Sequence, residues 1–449
     1  MRITAAGVYA ILSASVAQAM LQIVPGATWT AAGTGKHIQA HGGGIIKVDS
    51  TYYWVGEDKT SGSAFQNINC YSSTNLVEWT YVGAILKLQS TGDLGPSRVV
   101  ERPKIIFNKS TNQYVLWMHT DSSNYGEAKV GVATSSSVCG SYSYKGSFQP
   151  LGFQSRDIGL FQDDDGTAYL LSEDRANGLR IDLLSSDYLS VVSTTHLFPD
   201  HIEAPAIIKK SGVYFMFGSH LTGWDPNDNV YATATSLSGP WSAWKTFADV
   251  GSKTYSSQTN YILPVGDNAI YMGDRWISSN LMRSTYVWLP LKLSGTTASM
   301  SNYVNWVLDT SSGSMTGGPS EGSYEGEAAT LSGGAKSVTC SGCSGSAAVG
   351  YIGGSTTGTA LFAGVSSSAT ARTTIRINYE NGDSTERYAD ISVNGAASQR
   401  VAFLPSSNGY TPASSTLHTS LNSGTNTIKI TTNGGGWGPD IDRLMVPMS

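Results

Sequence analysis

Five stretches of this sequence repeat one pattern: an apolar run, a short turn of Asp, Asn, Gly or Lys, then alternating aromatic and aliphatic residues. They are IIKVDSTYYWVGE from Ile45, KIIFNKSTNQYVLWMH from Lys104, GLFQDDDGTAYLLSE from Gly159, AIIKKSGVYFMFGS from Ala206 and YILPVGDNAIYMGD from Tyr261. Each reads as a β-hairpin, and they recur about every 45 to 60 residues, the spacing of propeller blades. Further strand-like pieces such as KVGVATS and VYATATS, followed by a C-G or G-P turn and an aromatic, supply outer strands. The repeat predicts an all-β chain with a five-bladed β-propeller over about residues 22–310. Paired β-sandwiches without rotational symmetry are the alternative.

In such a ring the innermost strand of each sheet opens onto a shared funnel, so polar residues at its start need not be buried. Every repeat has them: Gln39 and His41, Glu101 and Arg102, Arg156 and Asp157, Glu203, then Gln258 and Asn260. Three carboxylates around one axis (Glu101, Asp157, Glu203) repel one another, which stabilises little but raises a pKa. Ordinary ion pairs with Arg102 or Arg156 are the plainer alternative. A carboxyl held protonated toward neutrality, beside a group that prepares water, is what glycoside hydrolysis requires. Glu203 fits the proton donor and Asp157 its charged neighbour. Tyr125, Trp224 and Trp276, at the hairpin exits, could stack on a sugar face, although any one of them alone is more often a core residue.

The N-terminus reads as a secretory signal over residues 1–19: Arg2, the apolar stretch AAGVYAILSASV, then AQA. No later apolar run reaches membrane-spanning length, and a net charge of -5 without a basic stripe argues against nucleic acid. The expected protein is secreted, monomeric and free of membrane. Four cysteines suit that compartment, as Cys70 with Cys139 and Cys340 with Cys343, although C-x-x-C also suits half a zinc site or a redox pair. Asn108 opens an N-glycosylation sequon, NKS. DDDG at 163–166 reads as a turn rather than a calcium loop, and His37 with His41 is a poor zinc pair. Residues 311–323, SSGSMTGGPSEGS, read as a flexible linker, and residues 324–449 as a β-sandwich.

The motifs VVERPK, SNYG, SRDIGLFQDDD, IEAP and IYMGDRW, in this order on five repeats, resemble glycoside hydrolase family 43, within it the fungal exo-β-1,3-galactanase group. The resemblance implies an inverting exo-glycosidase that releases galactose, bare or carrying side chains, from the non-reducing end of the β-1,3-galactan of arabinogalactans, with no cofactor for catalysis. It implies Glu203 as general acid, Asp157 as its pKa-tuning partner and Glu101 as an essential carboxylate. Glu57, Gln39, Tyr125, Trp224 and Asp274 would contact the sugar. The Asp base of most family members is missing from the first repeat, which has IQAHGGG. In the galactanase group a Gln acting through its imidic-acid tautomer is proposed instead, and Gln258 occupies that stretch. A plain amide is a very weak base, so Glu101 is the fallback. The C-terminal segment resembles carbohydrate-binding module family 35. That likeness implies a structural calcium on Glu325, Glu327 and Asp442, and a sugar site of Tyr351, Asp383 and Trp437. An arabinofuranosidase or β-xylosidase on the same scaffold, or a non-catalytic sugar-binding propeller, are the rival readings.

Overall fold

A computed structural model describes residues 21–406 and 412–448; the expected leader, residues 1–19, lies outside them. The described chain is all-β apart from single helical turns. Five four-stranded antiparallel sheets follow one another along residues 41–87, 99–148, 158–198, 202–246 and 258–300, each a simple meander in chain order. The first strand of each sheet packs on the first strand of the next, and that of the fifth returns to that of the first. The five expected hairpins are the first two strands of these sheets. DDDG is the turn of the third, where Asp163 N–H bonds Thr167 O at 2.8 Å.

The ring closes through aromatic packing. Trp54 of the first sheet and Trp288 of the fifth lie 4.7 Å apart between ring centroids, with Trp29 5.0 Å from Trp288. All three are buried, and large rings burying this much apolar area dominate the energetics of such a seam. Cys70 and Cys139 are disulfide-bonded and tie the first sheet to the second; Cys340 and Cys343 bond each other, which leaves no zinc half-site there.

Two expectations fail. The Ser/Gly-rich stretch 311–323 is no free linker: Ser314–Gly317 pairs with Trp306–Asp309, which pairs with Gln22–Ile23, and Glu321–Glu325 joins the C-terminal module. Backbone pairing supplies the order that Ser and Gly side chains do not. The sequon residue Asn108 is 1% exposed, its amide nitrogen donating to Ser186 O at 2.8 Å, so it is no glycan acceptor in this fold.

The C-terminal module is two antiparallel sheets enclosing one apolar core, with Ile375, Tyr379, Ile428 and Leu444 among its buried residues. It is docked on the ring rather than tethered. Thr28 N–H bonds Ser414 O and Thr416 N–H bonds Thr28 O, so the N-terminal segment extends the edge strand Ala413–Leu421. A bidentate Arg372–Glu78 pair and Arg283 on Ser406 O add further ties. Among the described residues no helix is long and apolar enough to cross a membrane.

Candidate functional site

The same register recurs at one pole of the ring. In four sheets a residue at or near the start of the first strand lies beside one at or near the end of the second: His41 opposite Glu57, Glu101 opposite His119, Glu203 opposite Ser219, and Gln258 opposite Asp274. In the third sheet Asp157 is joined to Glu173 by a 2.9 Å backbone bond. In the other four sheets a β-bulge follows, directly after His41, Glu101 and Glu203 and one residue later, after Thr259, in the fifth. In three of them the next residue has positive φ: Gly42, Arg102 and Ala204. A bulge bends the strand and re-aims its side chains, here at the place where polar groups must gather. Gly42 is required as glycine, since a Cβ there would lie 1.9 Å from Glu57 Oε1.

A cavity of about 400 Å³ opens at this pole, lined by Glu101, Asp157, Glu173, Glu203 and Gln258, with Glu57, Arg102, Arg175, Tyr125, Trp224 and Trp276. Glu203 is 7% exposed. Its Oε1 accepts from Gln258 Nε2 at 2.9 Å, and its Oε2 lies 3.4 Å from Arg175. Burial, then the charges of Asp157 and Glu173, push its carboxyl up to about 9, against the opposing pull of Arg102 and Arg175. Asp157 Oδ2 pairs with Arg102 at 2.9 Å and accepts the Ala204 N–H at 3.0 Å.

Glu101 is the opposite case. Burial pushes it up, yet Lys59 at 3.0 Å and protonated His119 at 3.6 Å outweigh that and hold it far below the usual carboxylate range. His119 itself is raised to about 9: burial lowers it, but hydrogen bonds to Asp121 and Glu101 prevail. Tyr125 donates to Glu101 Oε1 at 3.1 Å, and Trp224 packs edge-on to Trp276 at 5.0 Å. One cavity thus holds a proton-bearing carboxyl and an ionised one, walled by aromatic rings.

Glu57 lines the cavity, but its oxygens are engaged by Arg102 N–H at 2.8 Å and Lys59 at 2.6 Å. Gln39 and Asp274 do not belong with the sugar contacts. Gln39 is buried, its amide joining Met282 O and Lys59 N–H. Asp274 is wholly buried and spent on His41 Nδ1 and Gly42 N–H, both at 3.0 Å. Side chains in a strand alternate faces, so polarity near a strand start does not decide which face a residue takes. Gln258 reaches the cavity, but all four hydrogen-bonding positions of its amide are filled: Arg102 and Trp276 on Oε1, Glu203 and Ser219 on Nε2. Lys59, His119, Glu173, Arg175 and Ser219 escaped the sequence reading; all five lie near or just past the end of a second strand, and His119, Glu173 and Ser219 lie opposite residues it did select.

In the module, Tyr351 and Trp437 are half-exposed and meet edge-to-face at 5.9 Å. Arg387 binds Asp383 at 2.7 Å and Gly438 O at 3.0 Å, which brings Asp383 to the same patch. Glu325, Glu327 and Asp442 each keep a buried carboxylate oxygen without a hydrogen-bond partner. Burial raises Asp442, and the two glutamates add to the rise; Arg443 comes no nearer than 3.6 Å. Orphan carboxylate oxygens are the hard donors that calcium takes, although these three residues do not bring their oxygens within 4.8 Å of one another as a set.

The family model described as Glycosyl hydrolases family 43 matches residues 40–275. The model described as Alpha-galactosidase, CBM13 domain, matches residues 359–446, where the sequence resemblance points to family 35. The chain is 41% identical to the exo-β-1,3-galactanase from Phanerochaete chrysosporium solved with galactose, covering 94% of this chain and 99% of that one, with a TM-score of 0.67. A Glu-to-Gln variant of that enzyme, solved with β-1,3-galactotriose, is matched over 95% of this chain and 100% of that one at 41% identity and TM-score 0.68. The exo-β-1,3-galactanase from Clostridium thermocellum is 26% identical over 94% of this chain and 99% of that one, with a TM-score of 0.63. A search of the curated proteins gives no match.

Proposed function

The chain belongs to glycosyl hydrolase family 43, and from that premise we propose that it is an inverting exo-β-1,3-galactanase built on a five-bladed propeller. It releases galactose, bare or bearing side chains, from the non-reducing end of the β-1,3-galactan of arabinogalactans. The observation that carries this reading is Glu203: a buried carboxyl held protonated by its surroundings, in the same cavity as the ionised Glu101.

The reaction is a single displacement. Glu203 gives its proton to the glycosidic oxygen as the bond from C1 to that oxygen breaks. A water adds to C1 from the opposite face and gives its proton to Glu101. Glu101 is the better candidate base than Gln258, because the amide has no lone pair free for water. Weak basicity suffices, since water bonding to an oxocarbenium-like carbon becomes strongly acidic. Asp157 keeps the proton on Glu203, while Tyr125, Trp224 and Trp276 shape the sugar subsite. The module binds carbohydrate through Tyr351, Asp383 and Trp437, and Glu325, Glu327 and Asp442 would hold a calcium that neutralises them. Two disulfides support an exported protein, and a monomer is sufficient for this chemistry.

The test is sugar release from β-1,3-galactan, arabinan and xylan, with the first-formed anomer read by NMR. Galactose released from galactan alone as the α-anomer supports the proposal. Arabinose or xylose release would assign the rival specificities, and no release from any of them a sugar-binding propeller.

A further inference from the structure

Gln258 is 8% exposed and touches four polar partners. Arg102 lies 2.5 Å and Trp276 Nε1 2.9 Å from one end of its amide; Glu203 Oε1 lies 2.9 Å and Ser219 Oγ 3.0 Å from the other. Guanidinium and indole nitrogens donate hydrogens and accept none. The atom between them is therefore the amide oxygen, and the NH2 faces Glu203. This orientation follows from the partners' chemistry, which settles the usual ambiguity of an amide flip. An imidic-acid form would place a hydrogen on that oxygen, against two N–H groups unable to receive it. It would also take one of the nitrogen's two hydrogens from Glu203 or Ser219. The oxygen end of the site opposes that tautomer.

We propose that Gln258 serves the reaction as an amide that positions the acid: Arg102 and Trp276 pin its oxygen, its NH2 occupies Glu203 Oε1, and the proton that Glu203 delivers is confined to Oε2. Trp276 and Arg102 are positioning residues acting through Gln258, and Ser219 completes the clamp. The neighbouring group at Oε2 is Arg175, 3.4 Å away and itself partly exposed at the cavity. This inference rests on the assignment of Glu203 as the general acid.

The experiment compares Trp276→Phe, Gln258→Glu and Glu203→Gln on two substrates. β-1,3-Galactobiose needs its leaving hydroxyl protonated; a dinitrophenyl β-galactoside does not. Positioning of the acid predicts that Trp276→Phe, which keeps an aromatic ring but no N–H, loses about tenfold in kcat on galactobiose and less than about twofold on the aryl galactoside. Gln258→Glu keeps an acceptor for Arg102 and Trp276 but has no hydrogen for Glu203, so its galactobiose turnover falls about a hundredfold. Equal losses on both substrates in Trp276→Phe, or undiminished galactobiose turnover in Gln258→Glu, overturn the proposal, since a base acting on water serves both substrates and a carboxylate is the stronger base. Glu203→Gln keeps the two failures apart. Full galactobiose turnover there defeats the acid assignment itself, whereas loss confined to galactobiose there, without the same selectivity in Trp276→Phe, defeats only the positioning role.

Discussion

Asp157 Oδ2 accepts the backbone N–H of Ala204 at 3.0 Å, so the carboxylate that raises the Glu203 pKa also holds the bulge that aims Glu203. The two residues come from adjacent sheets, and the same Asp157 oxygen pairs with Arg102 from a third. Charge and geometry at the acid are set by one side chain.

Asp157→Asn separates those two contributions. The amide oxygen can still accept from Ala204, but the negative charge is gone. Burial and Glu173 continue to raise Glu203, so its pKa falls from about 9 without reaching the ordinary range. The alkaline limb of the kcat/KM profile should move to lower pH by about one unit. An unmoved limb would show that Asp157 does not tune the acid.

Glu203 carries a stability cost with a definite sign. Its folded pKa, about 9, stands above its ordinary 4.5, so its contribution is fully present below the ordinary value and is lost as pH rises toward 9. Replacing it by Gln removes that loss. The Glu203→Gln protein should gain stability over the parent by about 1.4 kcal/mol per pH unit across that window, read by urea unfolding at several pH values. Parallel curves would mean that Glu203 ionises normally in the folded protein.

Calcium at Glu325, Glu327 and Asp442 predicts a metal-dependent melting temperature. Chelation should lower Tm by several degrees and added calcium should restore it, because a ligand bound only by the folded state stabilises by mass action. Glu327→Gln should abolish the response. A Tm indifferent to chelator and calcium would remove the ion from the account.

The docking of the module on the ring predicts that residues 311–323 resist cleavage. Limited proteolysis of the folded chain should not release the module, since Ser314–Gly317 and Glu321–Glu325 are paired strands. Early appearance of two stable fragments cut in that stretch would contradict the docked arrangement.

The ring was legible in the sequence because each sheet begins with a hairpin whose turn and alternation are local signals, repeated often enough to imply closure. Glu101, Asp157, Glu203 and Gln258 could be named because they occupy one position in that repeat. His119, Glu173 and Ser219 could not be reached by looking at strand starts alone. They lie near the ends of the second strands, and pairing each hairpin outward from its turn would have found them opposite Glu101, Asp157 and Glu203. Gln39 and Asp274 show the converse limit. Both sit at the correct pole, but Gln39 precedes its strand and Asp274 lies near the end of a second strand, and their buried hydrogen bonds to Met282, Lys59, His41 and Gly42 are contacts that no composition rule records. The stretch 311–323 misled because Ser and Gly describe side chains, whereas its order comes from backbone bonds to distant strands.

The central claim is that Glu203 delivers the proton to the departing galactan. The most direct measurement is the initial rate of galactose release from β-1,3-galactan by Glu203→Gln, with circular dichroism confirming the fold. The account predicts a loss of about a thousandfold; a folded variant that releases galactose at the parent's rate would contradict it.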